Sequence, residues 1–206
     1  MKFNNLRYNI CNNFPFYLNV IFTNKVLKPY WGSINRLKAK WWGVKLGNKI
    51  SFVGTISYRK FGNSTIEIGN NCTFLSSHNS NWIGVYTPCI LSTIADGAQL
   101  VIGNNCGFSG TVIGSGKSIK IGNNVRCGAN TLITDSDWHL DDLRVGEDKP
   151  IIIEDNVWLG YGVKVLKGVH IGENTVIGAG SIVTKSIPAN VIAAGNPCKV
   201  IKSINL

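Results

Sequence analysis

The sequence predicts an all-β fold, a parallel β-helix of triangular coils with a short, partly helical N-terminal extension. Two observations carry that prediction. Ile68-Gly-Asn-Asn-Cys, Ile102-Gly-Asn-Asn-Cys, Ile121-Gly-Asn-Asn-Val, Ile153-Glu-Asp-Asn-Val and Ile171-Gly-Glu-Asn-Thr are versions of one phrase. Within the units the period is six: Ile153, Leu159, Val165, Ile171, Ile177 and Val183 fall six apart. The positions two before them, Ile151, Val157, Val163, Val169, Thr175 and Ser181, are mostly β-branched or small.

Two inward residues flanking one outward residue make a short strand, and the residues left over make a turn. Gly and Asn supply the backbone angles such turns require. Three strands per 18 residues close one coil, and stacked coils pair strand over strand at about 4.8 Å. A period of six gives no 3.6-residue stripe, so helix is excluded here. The phrase starts are separated by 34, 19, 32 and 18 residues, which reads as two, one, two and one units of 18. Leu46-Gly-Asn-Lys-Ile is an earlier, weaker copy.

The first 45 residues do not repeat. Trp31, Trp41 and Trp42 stand there among basic residues, and one or two helices and a loop are expected. Their expected role is to cover the apolar side chains and strand edges of the first coil. The alternative is a surface for a membrane or a partner. Residues 1–45 are thus a capping extension, 46–202 the β-helix domain, and 203–206 a C-terminal tail.

The 206 residues suit one domain, and 23 glycines spread along the chain fit many tight turns. A net charge of +10 admits nucleic acid, a membrane surface or an anionic small molecule. With no helix-turn-helix, RNA-binding or zinc-finger pattern beside it, nucleic acid is set aside. Cations are densest before residue 60, at Lys38, Lys40, Lys45, Lys49, Arg59 and Lys60. They make either a solvated face or a preference for phosphate-bearing ligands. Six cysteines without C-x-x-C spacing read as reduced, buried thiols, hence a cytoplasmic location. No signal peptide is evident. The stretch Phe14 to Phe22 is too short to span a bilayer, though long enough to lie on the inner face of one.

The repeat breaks at residues 134–150, a polar segment containing Asp135, Asp137, His139 and Asp142. A loop leaving a rigid scaffold is where chemistry is usually placed. A near-neutral imidazole such as His139 can take a proton from an attacking hydroxyl and return it to a leaving group. Asp135, Asp137 and Asp142 are candidates to fix its tautomer. His170 precedes an inward Ile171 and so points outward, while His78 sits in a polar run. A three-histidine zinc site is not expected, because the histidines stand 61 and 31 residues apart.

Residues 46–202, and most specifically 121–202, resemble the hexapeptide-repeat acyltransferases. The closest likeness is to the sugar and polysaccharide O-acetyltransferases and the maltose, galactoside and xenobiotic acetyltransferases. The resemblance implies left-handed coils and transfer of an acetyl group from acetyl-CoA by His139, without a metal or a covalent intermediate. It places Trp158, Gly160, Tyr161, Gly178 and Ala179 along the pantetheine arm, and Pro197 near adenine. Thr184, Lys185 and Lys199 fall toward the far end of the cofactor, the lysines near its phosphates. Ser109, in Phe108-Ser-Gly-Thr, takes the acceptor-contacting turn, together with Asp137 and Asp142; many sugar acetyltransferases carry Asn at that turn. It further implies a homotrimer with active sites between subunits, and a sugar or glycan acceptor from a surface-polysaccharide pathway. The rival readings are N-acetylation of an amino-sugar nucleotide and a non-catalytic β-helix scaffold.

Overall fold

The computed structural model describes residues 21–139 and 142–204, together with Phe14 and Leu18. A short π-helical turn, Thr23–Leu27, leads into helix α1, Lys28–Trp41. Among the described residues twenty strands, numbered along the chain and all parallel to their neighbours except β20, then wind into the three faces of a triangular prism. The first face carries β1 (Lys45–Leu46), β4 (Thr65–Ile68), β7 (Gln99–Ile102), β10 (Ser118–Ile121), β13 (Ile151–Ile153) and β16 (His170–Ile171). The second carries β2 (Ser51–Val53), β5 (Thr73–Leu75), β8 (Gly107–Ser109), β11 (Arg126–Cys127), β14 (Trp158–Leu159), β17 (Val176–Ile177), β19 (Val191–Ala194) and β20 (Lys199–Ser203). The third carries β3 (Ser57–Arg59), β6 (Ile90–Thr93), β9 (Val112–Ser115), β12 (Leu132–Thr134), β15 (Lys164–Val165) and β18 (Ile182–Val183).

The six-residue columns predicted to point inward do so: Ile153, Leu159, Val165, Ile171, Ile177 and Val183 are all buried, as are Thr175 and Ser181 two residues ahead. Like side chains stack on like from coil to coil. Phe52, Phe74 and Phe108 form a column with ring centroids 5.8 and 5.0 Å apart. Cys72, Cys89, Cys106, Cys127 and Cys198 are buried free thiols, and burial pushes Cys89 and Cys127 above the ordinary thiol range.

The structure corrects the coil count. β4 pairs directly with β7, and β10 directly with β13. The intervals of 34 and 32 residues are therefore one coil each, lengthened by an excursion, and not two coils. The excursions are residues 77–89, between the second and third faces, and 135–150, between the third and first.

Asparagines in the left-handed region hold one corner. Asn71, Asn105, Asn124, Asn156, Asn174 and Asn190 all have φ between 56° and 59°. Their amides bond from coil to coil, Asn156 to Asn174 and Asn174 to Asn190 both at 2.9 Å. In the first coil the equivalent residue is Lys49, at φ 54° and exposed. A lysine there bears a strain that Asn tolerates. Lys49→Asn is expected to stabilise the fold by about 1 kcal/mol, raising Tm by roughly 2–4 °C in calorimetry. An unchanged or lower Tm would contradict that account.

Helix α1 closes the first coil. Asn35, fully buried, donates to the Gly54 carbonyl and accepts from the Ile56 N–H, both at 2.9 Å. Arg36 and Lys38 reach the carbonyls of Ile50 and Ile56, while Ala39 and Trp31 pack on the core. These bonds satisfy backbone groups that a bare first coil leaves open. Asn35→Ala is expected to cost about 2 kcal/mol by orphaning the Ile56 N–H, seen as a lower urea midpoint at unchanged slope.

Candidate active site

The 134–139 segment leaves β12 at the corner between the third and first faces. Asp135, with no exposed surface, anchors its start. The carboxylate accepts from the backbone N–H groups of Gly116, Lys117 (3.0 Å) and Ser118 (2.7 Å) and from the Ser115 hydroxyl (2.9 Å). Thr134 donates its hydroxyl to the Ser136 carbonyl at 3.0 Å and accepts from the Trp138 indole N–H at 3.0 Å. Trp138 has φ 71°, a left-handed conformation that an aromatic residue seldom adopts. Its ring lies over Gly114, where an added Cβ would come within 2.3 Å of Cζ2. His139 is therefore presented on a turn anchored to the preceding coil at Asp135 and Trp138 and braced internally by Thr134. Its imidazole is exposed and, among the described residues, unpaired; its carbonyl accepts from the Asp142 N–H at 3.1 Å.

Each of the three candidate acids is engaged elsewhere. Asp135 serves the 115–118 turn, Asp137 is paired with Lys167, and Asp142 with Arg144. The Arg144 guanidinium holds the Asp142 carboxyl below the usual carboxylate range. His170 is paired with Glu154 at 2.7 Å on the outer surface, as its outward position implied. Among the described residues no cluster of His, Cys, Asp and Glu could hold a metal ion.

The other predicted residues lie apart from His139. Ser109 and Trp158 line a groove of about 390 Å³ on the second face, with Asn81, Phe108, Gly107 and Arg126. Asn81, from the 77–89 excursion, donates to the Ser109 hydroxyl at 3.2 Å. Gly107 stands in register between Thr73 and Arg126, and its missing side chain opens the floor. No described residue of 134–150 lines this groove. Sequence reasoning missed Asn81 and Arg126; a glycine opening a strand at 107, where the outward side chain would stand, is the signal that something approaches there.

Gly160, Tyr161, Gly178 and Ala179 form the adjoining corner between the second and third faces. Gly160 and Gly178 are held to the next coil by N–H bonds of 2.8 Å to Ile177 and Ala193, while the amides of Tyr161 and Ala179 stay outside that ladder. Tyr161 bonds Tyr86 of the excursion, which raises the Tyr86 phenol above its ordinary range. Thr184 and Lys185 are exposed at a different corner, the one that carries His139, two coils further on. Pro197 and Lys199 are exposed at the antiparallel β19–β20 hairpin. A single chain thus brings Trp158 to Ser109, and leaves both separated from His139 by the body of the prism.

Residues 150–185 match the family described as bacterial transferase hexapeptide (six repeats). Over 143 residues the chain is 40% identical to a galactoside O-acetyltransferase of Lactococcus lactis, covering 68% of this chain and 63% of that protein. Over 115 residues it is 44% identical to the Escherichia coli galactoside O-acetyltransferase, covering 53% and 56%. The chain thus spans less than two thirds of the length of these curated relatives. Among solved structures, an N-acyltransferase from Bacillus cereus, in complex with dTDP-4-amino-4,6-dideoxyglucose and coenzyme A, matches with a TM-score of 0.63 at 21% identity. That alignment covers 83% of this chain and 89% of the other, and at this identity it speaks to the fold. By its repeat, its coils and these relatives, the chain carries the bacterial transferase hexapeptide repeat on a parallel β-helix and is similar to the hexapeptide-repeat acyltransferases.

Proposed function

We propose that the protein transfers an acetyl group from acetyl-CoA to a sugar or glycan hydroxyl, with His139 as general base. The supporting observation is an exposed imidazole on a strained, pinned turn, with nothing among the described residues occupying it. In the reaction the imidazole takes the hydroxyl proton as the oxygen attacks the thioester carbon. The tetrahedral adduct then expels the CoA sulfur, breaking the C–S bond, and the imidazolium returns the proton to that sulfur. The Tyr161 and Ala179 amides, outside the coil-to-coil ladder, are backbone donors placed to meet pantetheine or the oxyanion.

The separation of His139 from the Ser109–Trp158 groove supports a site completed by a second subunit. In the proposed trimer the His139 corner of one copy faces the groove and glycine corner of the next. Trp158 flanks pantetheine, Pro197 stands near adenine, Lys185 and Lys199 approach the phosphates with Thr184 beside them, and Ser109, Asp137 and Asp142 border the acceptor. A surface-polysaccharide precursor is the proposed acceptor. Buried free thiols suit a reducing compartment.

Calorimetric titration with CoA tests the donor half without knowledge of the acceptor. Micromolar binding near one site per chain is expected; no binding removes acyl transfer. A panel of acceptors then separates hydroxyl from amine, since the same base serves both. An amino-sugar nucleotide belongs in it, given the ligand of the Bacillus cereus protein.

A further inference from the structure

The net positive charge of this chain comes from its first third. The first acidic residue is Glu67, and eleven of the 21 Lys and Arg precede it, so the remainder is nearly neutral, with ten cations against eleven acids. The same end carries apolar side chains that the fold does not use. Ile21, Phe22, Val26, Tyr30, Leu37 and Trp41 are each half or more exposed, Trp41 to 87%.

These residues form a line. Phe22, Val26 and Tyr30 recur every four residues, as do Leu37 and Trp41. On an α-helix a four-residue step overshoots one turn by about 40°. The π turn at Thr23–Leu27, with bonds from i to i+5, winds more slowly and takes back part of that overshoot. The inward line of α1, half-buried Trp31 with buried Asn35 and Ala39, faces the first coil. Tyr30, Leu37 and Trp41 face the other way, off the end of the prism. Lys25 and Lys40 stand beside them with no ion pair among the described residues. No helix among the described residues is long and apolar enough to cross a membrane.

We propose that this outer face of the N-terminal helix docks the protein on an anionic lipid bilayer, with the β-helix standing end-on to it. An aromatic and aliphatic face flanked by lysines is the pattern of an interfacial helix, whose apolar side enters the headgroup boundary while the ammonium groups meet lipid phosphates. Exposed Ile, Phe, Val and Leu give nothing to a nucleic-acid backbone, and two copies of so cationic a face repel each other. This docking stands independently of acyl transfer.

The test is co-sedimentation of the full chain with phosphatidylcholine vesicles, with and without phosphatidylglycerol. Binding at least tenfold stronger to the anionic vesicles is expected, and it weakens as salt is raised. Leu37→Gln with Trp41→Gln, both exposed and off the core, is expected to weaken it tenfold or more with Tm unchanged. Val200→Gln, an exposed apolar residue in β20 at the other end, leaves binding unchanged. Equal affinity for neutral and anionic vesicles, or full binding by the double variant, overturns the proposal. A double variant that changes the size of the assembly and not its vesicle binding gives the face to a second copy, and overturns it too.

Discussion

His139→Ala is expected to lower acetyl transfer about 10³-fold, within the range a positioned general base contributes, while CoA binding and Tm stay as they are. The imidazole is exposed and bonded to nothing among the described residues, so its removal leaves no orphaned partner and no cavity. Steady-state rates with any acceptor from the panel, beside calorimetry with CoA, read the two effects separately. A variant that binds CoA and turns over at the original rate would end the general-base assignment and leave another group, or a scaffold role, to explain the fold. The measurement also bears on assembly. Mixing His139→Ala with a second inactive variant altered in the groove, Trp158→Ala, is expected to restore part of the activity. Mixed trimers pair an intact His139 with an intact groove across some interfaces. No recovery on subunit exchange, with both variants shown to be trimeric, would place the whole site within one chain.

The fold was legible because its physics is local. A six-residue strand and turn needs two inward side chains and a left-handed corner, and the chain writes both in every coil: Ile153 and Leu159 inward, Asn156 and Asn174 at positive φ. The coil count was not legible. Intervals of 34 and 32 residues lie close to two coils of 18, and nothing in a period distinguishes an added coil from an excursion. Pairing of β4 with β7 and β10 with β13 settles it. His139 was legible because it interrupts a strict pattern. What holds it was not: Gly114 reads as one of many glycines until Trp138 is seen lying on it. Asp135 looked like an acid for the histidine, yet it serves backbone N–H groups about 20 residues back, in the preceding coil. Arg126 became part of a groove only once Gly107 and Trp158 were in register on either side of it.

Asp135 is where stability and activity are expected to meet. Its carboxylate, wholly buried, is the acceptor for three successive backbone N–H groups, those of Gly116, Lys117 and Ser118, and for the Ser115 hydroxyl. Truncation to Ala leaves all four donors without that acceptor at a site closed to water. A loss of about 4 kcal/mol is expected, since each buried donor left unsatisfied typically costs about 1–3 kcal/mol. At roughly 2–4 °C per kcal/mol for a chain of this size, Tm falls by about 8–16 °C. Asp135→Asn separates the two consequences. The amide keeps the shape and one acceptor oxygen, but turns an N–H₂ group toward backbone N–H groups, so the 115–118 turn and the 135–139 turn no longer share one anion. The protein stays folded, loses about half of that stability, and holds His139 less firmly; kcat falls with little change in the KM for acetyl-CoA. Gly114→Ala approaches the same histidine from the other side, by pushing the Trp138 ring off its seat, and is expected to lower kcat in the same way. If Asp135→Asn unfolds less readily than expected and turns over at the original rate, the carboxylate is a fold element alone, and the pinned turn is not what presents His139.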